Sequence, residues 1–172
     1  MSADVGPRTR SLILDRIRNA LGPRPSSAAE EYGSIAREYR QAADLDPPAR
    51  VALFIDRLEH YQVGVYRAER ATLARAVERV LAVRSKTRLV VPRGVPREWL
   101  PAVIEAVEDD ALSHADLDRV DGVLTACSHA IAVTGTIVLR HDPAEGRRAL
   151  TLVPDYHLCV VFADQIVQTV PE

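Results

Sequence analysis

The chain has 172 residues, 47% hydrophobic and 27% charged, a composition that carries a folded core and excludes wholesale disorder or a fibrous repeat. Twenty-two basic residues against 24 acidic leave a net charge of −2, too even for a uniform field that would draw the chain to nucleic acid or an anionic membrane. Its two cysteines, Cys127 and Cys159, cannot supply a disulfide framework or the four thiolates of an ordinary iron–sulfur cluster, so any such cluster must sit on a partner.

Ile13, Ile17 and Leu21 recur at four-residue spacing and predict an amphipathic helix over 9–21, stopped by Gly22-Pro23. The only apolar run near the start is Leu12-Ile13-Leu14, which gives no secretory segment and makes the cytoplasm the expected compartment. A Pro-, Ser- and Ala-rich connection follows as far as Ala29, dividing the chain into a helical arm and linker over 1–25 and a main domain over 26–172. Asp46-Pro47-Pro48 supplies a carboxylate cap and a ring suited to a first turn, and Val51, Phe54, Ile55 and Leu58 then form one apolar stripe. Val63 to Tyr66 predicts a short strand. Leu73, Ala76, Val77, Val80 and Leu81 predict a helix, and Leu89 to Val91 an apolar strand, completing a β-α-β pattern. Helical spacing returns at Leu100, Val103, Ile104 and Val107, with Pro96 and Pro101 near the start.

Beyond Asp121 the pattern turns to closely spaced strands over 122–127, 130–133, 136–139, 150–153 and 158–162, with Ile166, Val167 and Val170 predicting the start of a helix. The 18 residues 122–139 carry no charge, yet Thr125, Ser128, His129, Thr134, Gly135 and Thr136 interrupt them, so they predict buried strands and no transmembrane segment. The fold class is α/β: a mixed parallel and antiparallel sheet with helices on both faces. Residues 67–97 are rich in arginine and 105–121 in carboxylates. The two segments neutralise each other or form solvated faces, and no recognised motif accompanies the arginines, so no nucleic-acid partner is expected.

Five places offer chemistry. In Thr134-Gly135-Thr136, between two apolar runs, a glycine flanked by hydroxyls suits a phosphate, carboxylate or carbonyl oxygen; a tight turn between buried strands reads the same way. Arg93-Gly94 follows the strand Leu89 to Val91, where an open α/β sheet binds ligands and an arginine grips an anion. In Asp155-Tyr156-His157 alternation puts Asp155 and His157 on one side, a carboxylate beside an imidazole. Cys127 and His129 share a strand face, but a cysteine closing an apolar run reads first as a small core residue. Arg147 and Arg148 stand ready to line an anionic ligand or a partner surface.

The string Gly122-Val123-Leu124-Thr125-Ala126, then residues 130–139 with Thr134-Gly135-Thr136, then Arg148-Ala149-Leu150-Thr151-Leu152-Val153-Pro154-Asp155-Tyr156-His157 resembles the lactate-utilisation protein C family, the LUD domain. The resemblance implies a sheet related to the NagB/RpiA/CoA-transferase-like and formyltetrahydrofolate cyclo-ligase folds. It also implies a part in bacterial growth on L-lactate, beside partner subunits that carry iron–sulfur clusters and oxidise lactate to pyruvate, with no cofactor in this chain. Family members often place an acidic residue before Thr-Gly-Thr; here it is Val133, so no catalytic carboxylate carries over. The family continues into a Gly- and Pro-rich segment and a further strand where this chain stops at Pro171-Glu172, either as a shortened member or for want of its tail. The expected function is an accessory subunit of lactate oxidation, with catalysis by this chain alone left open. The competing expectation is an independent small-molecule enzyme or sensor, binding an anionic ligand through Arg93, Gly94, Thr134, Gly135, Thr136, Arg148, Asp155 and His157. Either is compatible with a homo-oligomer.

Overall fold

A computed structural model describes residues 7–22, 27–38 and 42–172, in two compact units, Met1–Tyr39 and Arg40–Glu172. In the first unit α1 (Pro7–Leu21) follows the four-residue spacing and leaves Leu12, Ile13, Ile17 and Leu21 exposed. Where the sequence predicts the last part of a connection, α2 (Ala28–Ser34) begins instead. Ser27 Oγ accepts from the Glu30 amide at 3.3 Å, and Glu30 Oε2 accepts from the Ser27 amide at 3.1 Å, a capping box that partners two orphan donors. Residues 23–26 of the expected connection lie outside the described residues.

The second unit opens with α3 (Pro47–His60), whose Asp46 cap accepts from the Ala49 amide at 2.8 Å. After an extended stretch comes α4 (Leu73–Val83), then β1 (Arg88–Val91), β2 (Glu105–Glu108), the one-turn α5 (His114–Leu117), β3 (Gly122–Thr125), β4 (His129–Ile131), β5 (Thr136–Val138), β6 (His157–Cys159) and β7 (Ile166–Val167). The strands make two sheets. One is wholly parallel in the order β2-β1-β3-β6; the other runs β5-β4-β7, with β4 antiparallel to β5 and parallel to β7.

Alternation along β1 and β3 divides the core between the two faces of the parallel sheet. Leu89, Val91 and Leu124 meet Val77 and Leu81 of α4 and Trp99 on one side, while Val90 and Val123 meet Leu117 of α5, Val120 and Leu150 on the other. Leu81, Leu89, Leu117, Leu124 and Leu150 are fully buried, each contributing roughly 1.5–3 kcal/mol on burial. In the second sheet Ala130, Ala132 and Ile166 take Phe54 and Leu58 of α3. The small alanines let the helix come close. Gln168, just past β7, is buried; its Oε1 accepts from the amides of Asp44 and Leu45 at 2.9 and 2.8 Å, and its Nε2 donates to the Asp44 carboxylate.

Four expected elements come out differently. Residues 63–66 are extended but join no ladder among the described residues; the Val63 amide donates to Leu58 O at 3.0 Å, finishing α3 instead. The helix expected through Leu100 and Val107 is a 3-10 turn, Arg97–Trp99, followed by β2. The Glu105 amide donates to Thr87 O at 2.8 Å and the Asp109 amide to Val91 O at 2.9 Å, so ladder bonds to β1 override the four-residue period. The strand expected at 150–153 is the 3-10 turn Arg148–Thr151, which drives Leu150 into the core. The helix expected from Ile166 is β7, held in register by Ala130 and Ile131.

Candidate functional site

A groove of about 760 Å³ lies between α3, the extended residues 63–68, the end of β5 and the strand β6. Phe54, Leu58 and Ile137 give it an apolar wall, and Arg67, Arg84, Tyr156 and His157 bring polar groups to it. A smaller cavity of about 130 Å³, reaching Leu73 and Val77 of α4, shares Tyr66, Leu158, Cys159 and Phe162 with it. Over Phe162 the guanidinium of Arg70 sits 3.8 Å from the ring centroid, and Trp99 meets the same ring edge-on at 5.6 Å.

The edge position of β6 gives the groove its polar side. Tyr156 O accepts from the Val123 amide and the Val160 amide donates to Thr125 O, both at 2.8 Å, so the even-numbered residues face β3. The backbone groups of His157, Cys159 and Val161 therefore point away from it, and no strand flanks β6 there among the described residues. Unpaired edge groups are ready donors and acceptors for whatever enters.

Parallel register sets Val123 opposite His157 and Thr125 opposite Cys159, so Thr125, His157 and Cys159 share a face. The His157 Nε2 and the buried Thr125 Oγ1 are 2.8 Å apart and share a hydrogen bond. The Cys127 thiol, two residues beyond Thr125, donates to Gln165 Oε1 at 3.7 Å, and the Cys159 thiol donates to Ala126 O at 3.7 Å. Electrostatic coupling to Cys127, with the neighbouring imidazole of His157, pulls the Cys159 thiol below the usual range against the opposing effect of burial. The same coupling and burial push Cys127 up. Burial also raises the Tyr156 phenol, partly offset by Arg84. The groove thus has room for a ligand with an apolar body and an acidic or hydrogen-bonding end. Among the described residues no group of three or more His, Cys, Asp or Glu side chains is placed to hold a metal.

Of the eight residues singled out in the sequence, His157 lines this groove and the other seven do not. Arg93 and Gly94 lie past the end of β1, at the edge where α/β sheets bind ligands. There the Arg93 guanidinium is paired with Glu108 at 3.2 Å and with Asp110, and the Gly94 amide donates to Pro143 O at 2.9 Å. The loop 140–147 covers that edge. Its Glu145 is buried, accepts from Ser128 Oγ and the Arg140 amide, and so shapes the loop from within. Arg88 pairs with Glu105 at 3.0 Å, so the basic and acidic segments do neutralise each other at these points. Arg148 and Asp155 are exposed.

Thr134 and Gly135 lie in the turn of the β4–β5 hairpin, in the other sheet, and Thr136 opens β5 opposite Ile131. The two hydroxyls lie 2.8 Å apart, and Gly135 has φ +66, with a Cβ at that position only 3.0 Å from Arg57 Cβ of α3. Gly135→Ala is expected to cost about 1–2 kcal/mol, because an L side chain at positive φ is strained and here also meets the helix. A melting curve checks it; an unchanged melting temperature would contradict the packing of this turn on α3. The sequence reading missed Cys159 as a residue lining the groove. The available signal was alternation, which puts Cys159 on the same face as His157.

Residues 97–172 match the family model described as the LUD domain. Over 120 residues the chain is 47% identical to the "Lactate utilization protein C" of Deinococcus radiodurans, a match that takes in 69% of this chain and 56% of that protein. The chain therefore spans little more than half the length of this curated relative. The crystal structure of a DUF162 family protein from the same organism matches with a TM-score of 0.70 at 44% identity, over 73% of this chain and 76% of that one. Shared fold and shared sequence coincide over most of both chains, and this chain belongs to the LUD-domain (DUF162) family.

Proposed function

We propose that this chain acts in L-lactate utilisation, in the cytoplasm, as a component without iron–sulfur clusters that works beside cluster-bearing partners oxidising L-lactate to pyruvate. The observation that carries the reading is the 47% identity over 120 residues to a lactate utilization protein C. Two supporting facts are consistent with it. The chain has only two cysteines, too few for the thiolates of a cluster, and none of the described helices is long and apolar enough to cross a membrane. The test is retrieval of the tagged chain from lactate-grown cells together with growth of a deletion strain. Iron–sulfur partners in the eluate and slow growth restricted to L-lactate are expected. Normal growth on lactate with no such partner would overturn the proposal.

A second reading, an independent enzyme or sensor for an anionic small molecule, is favoured by the 760 Å³ groove with Arg67, Arg84 and His157 on its lining. It predicts saturable thermal stabilisation by one class among L-lactate, nucleotides, acyl-CoA and folate derivatives, approaching 3 kcal/mol at about a hundredfold excess over Kd. Arg84→Ala should abolish that shift. Stabilisation by no class, or a shift that survives Arg84→Ala, would remove this reading and leave the first untouched.

A further inference from the structure

We propose that the groove takes an extended segment of a partner protein, which adds as a further strand to β6 and carries an apolar run flanked by carboxylates. This goes beyond the role in lactate utilisation and depends on neither functional reading.

The backbone on both sides of the groove is prepared for a strand. His157, Cys159 and Val161 turn their amides and carbonyls away from β3, because Tyr156 O and the Val160 amide are the groups that bond to it. Every second residue therefore offers a donor and an acceptor along about 13 Å of edge. Across the groove, residues 64–68 are extended yet enter no backbone hydrogen bond among the described residues. Sheets normally cover or blunt a free edge. Here the edge opens onto the groove, and an added strand satisfies it.

The spaces for side chains alternate as a strand requires. Val160 packs in the core under α4, and Val161 against the core under α3. The smaller cavity reaches Val77 and Val80 of α4, the larger one Phe54 and Leu58 of α3, and the two meet along Leu158, Cys159 and Phe162. Successive side chains of a strand point to opposite faces, so an added strand sends one set into each cavity. A small molecule seated in one cavity leaves the other empty. Both walls are apolar, which calls for the unbroken apolar run of a strand buried on both faces. Charge sets what flanks that run. No Asp or Glu lines the larger groove, and its Arg67 and Arg84 are in no ion pair among the described residues, so carboxylates at the ends of the segment complement them.

The test titrates the full chain with a fluorescein-labelled peptide, Asp-Glu-Val-Leu-Val-Ile-Val-Glu-Asp, followed by anisotropy and amide hydrogen exchange. Saturable binding that slows exchange at Cys159 and Val161 is expected. N-methylation of alternate peptide amides, tried in both phases, should weaken binding at least about tenfold in one of them, because those amides no longer donate to β6. Arg84→Glu should weaken the peptide at least about tenfold and favour a version with lysines at its ends. Val161→Pro removes an outward donor and spares the bond from the Val160 amide to Thr125 O, so it should weaken binding while the fold holds. The N-methylated peptides make the same point on the unaltered chain. No saturable binding, indifference to N-methylation in both phases, or unchanged exchange at β6 would each overturn the proposal. So would a dimer that Val161→Pro dissociates, which would seat a second copy on β6. Stabilisation by a small anion without peptide binding would overturn it as well and leave the second functional reading standing.

Discussion

Gly94→Ala is expected to destabilise the main unit by about 2–3 kcal/mol, the upper range for overpacking, which lowers the melting temperature by roughly 6–10 °C for a chain of this size. Gly94 is exposed to solvent and looks replaceable. A Cβ there, however, would stand 2.5 Å from the carbonyl carbon of Pro143 and 2.6 Å from the amide nitrogen of Ala144. Those are backbone atoms and cannot rotate aside. Nor can the loop retreat cheaply, because the Ala126 amide donates to Ala144 O at 2.9 Å, the Gly146 amide to Asp142 O at 2.9 Å, and the Gly94 amide itself to Pro143 O. Relief of the clash must break some of these bonds. Calorimetry or urea denaturation decides the matter, and a melting temperature within a degree of the parent's would mean that the loop does not press on the end of β1. Gly135→Ala should be milder, since the nearest obstacle there is the Cβ of a side chain at 3.0 Å.

These two glycines mark the limit of what sequence alone conveys. Both stand out there as small residues beside polar ones, and in both cases the atom that excludes a Cβ comes from far along the chain: Pro143 for Gly94, Arg57 for Gly135. The elements that were legible are those whose signal is local or whose burial is complete. Asp46 caps α3, one stripe runs through α4, and β1 and β3 are buried on both faces and read as unbroken apolar runs. Residues 100–107 and 166–170 misled because apolar spacing over four to eight residues fits either period, and distant ladder partners decided between them. For β2 that partner is β1, and for β7 it is β4.

The candidate site shows the same division. His157 was legible as a strand-leading residue on the side of the Asp155 carboxylate, and it does line the groove, with Thr125 and not Asp155 as its partner. Its coupling to Thr125, 32 residues earlier, is a consequence of strand order β3–β6 and register, neither of which spacing encodes. Arg93 was legible as lying past a strand end, but its carboxylate partners Glu108 and Asp110 come from the next strand and the turn after it.

Asp109→Ala is expected to cost about 2–3 kcal/mol at neutral pH, through the loss of charge-assisted hydrogen bonds at a site largely shielded from water. The Asp109 side chain is 9% exposed; Arg147 donates to it through Nε at 2.8 Å and Nη2 at 3.0 Å, and the Leu112 amide donates to it at 3.2 Å. Arg147 also reaches Leu112 O, so one carboxylate ties the end of β2 to the turn that buries Leu150. Arg147 is 38% exposed and recovers some hydration when its partner is lost, which holds the figure below that of a wholly buried pair. The Arg147 guanidinium keeps the carboxyl below its ordinary value of 3.8. A carboxyl whose folded value is depressed stabilises the fold fully above its unfolded value and loses that contribution as the pH falls through the folded one. The deficit of Asp109→Asn relative to the parent should therefore be constant from pH 7 down to about pH 5 and shrink below about pH 4. Urea denaturation of both proteins at pH 7, 5 and 3.5 measures it, and a cycle with Arg147→Ala should give a coupling of about 1 kcal/mol or more. A deficit that stays constant down to pH 3.5 would mean that the Asp109 carboxyl is not depressed in the folded chain, and a coupling near zero would mean that it acts through Leu112 alone and that the charge on Arg147 is spectator to the fold.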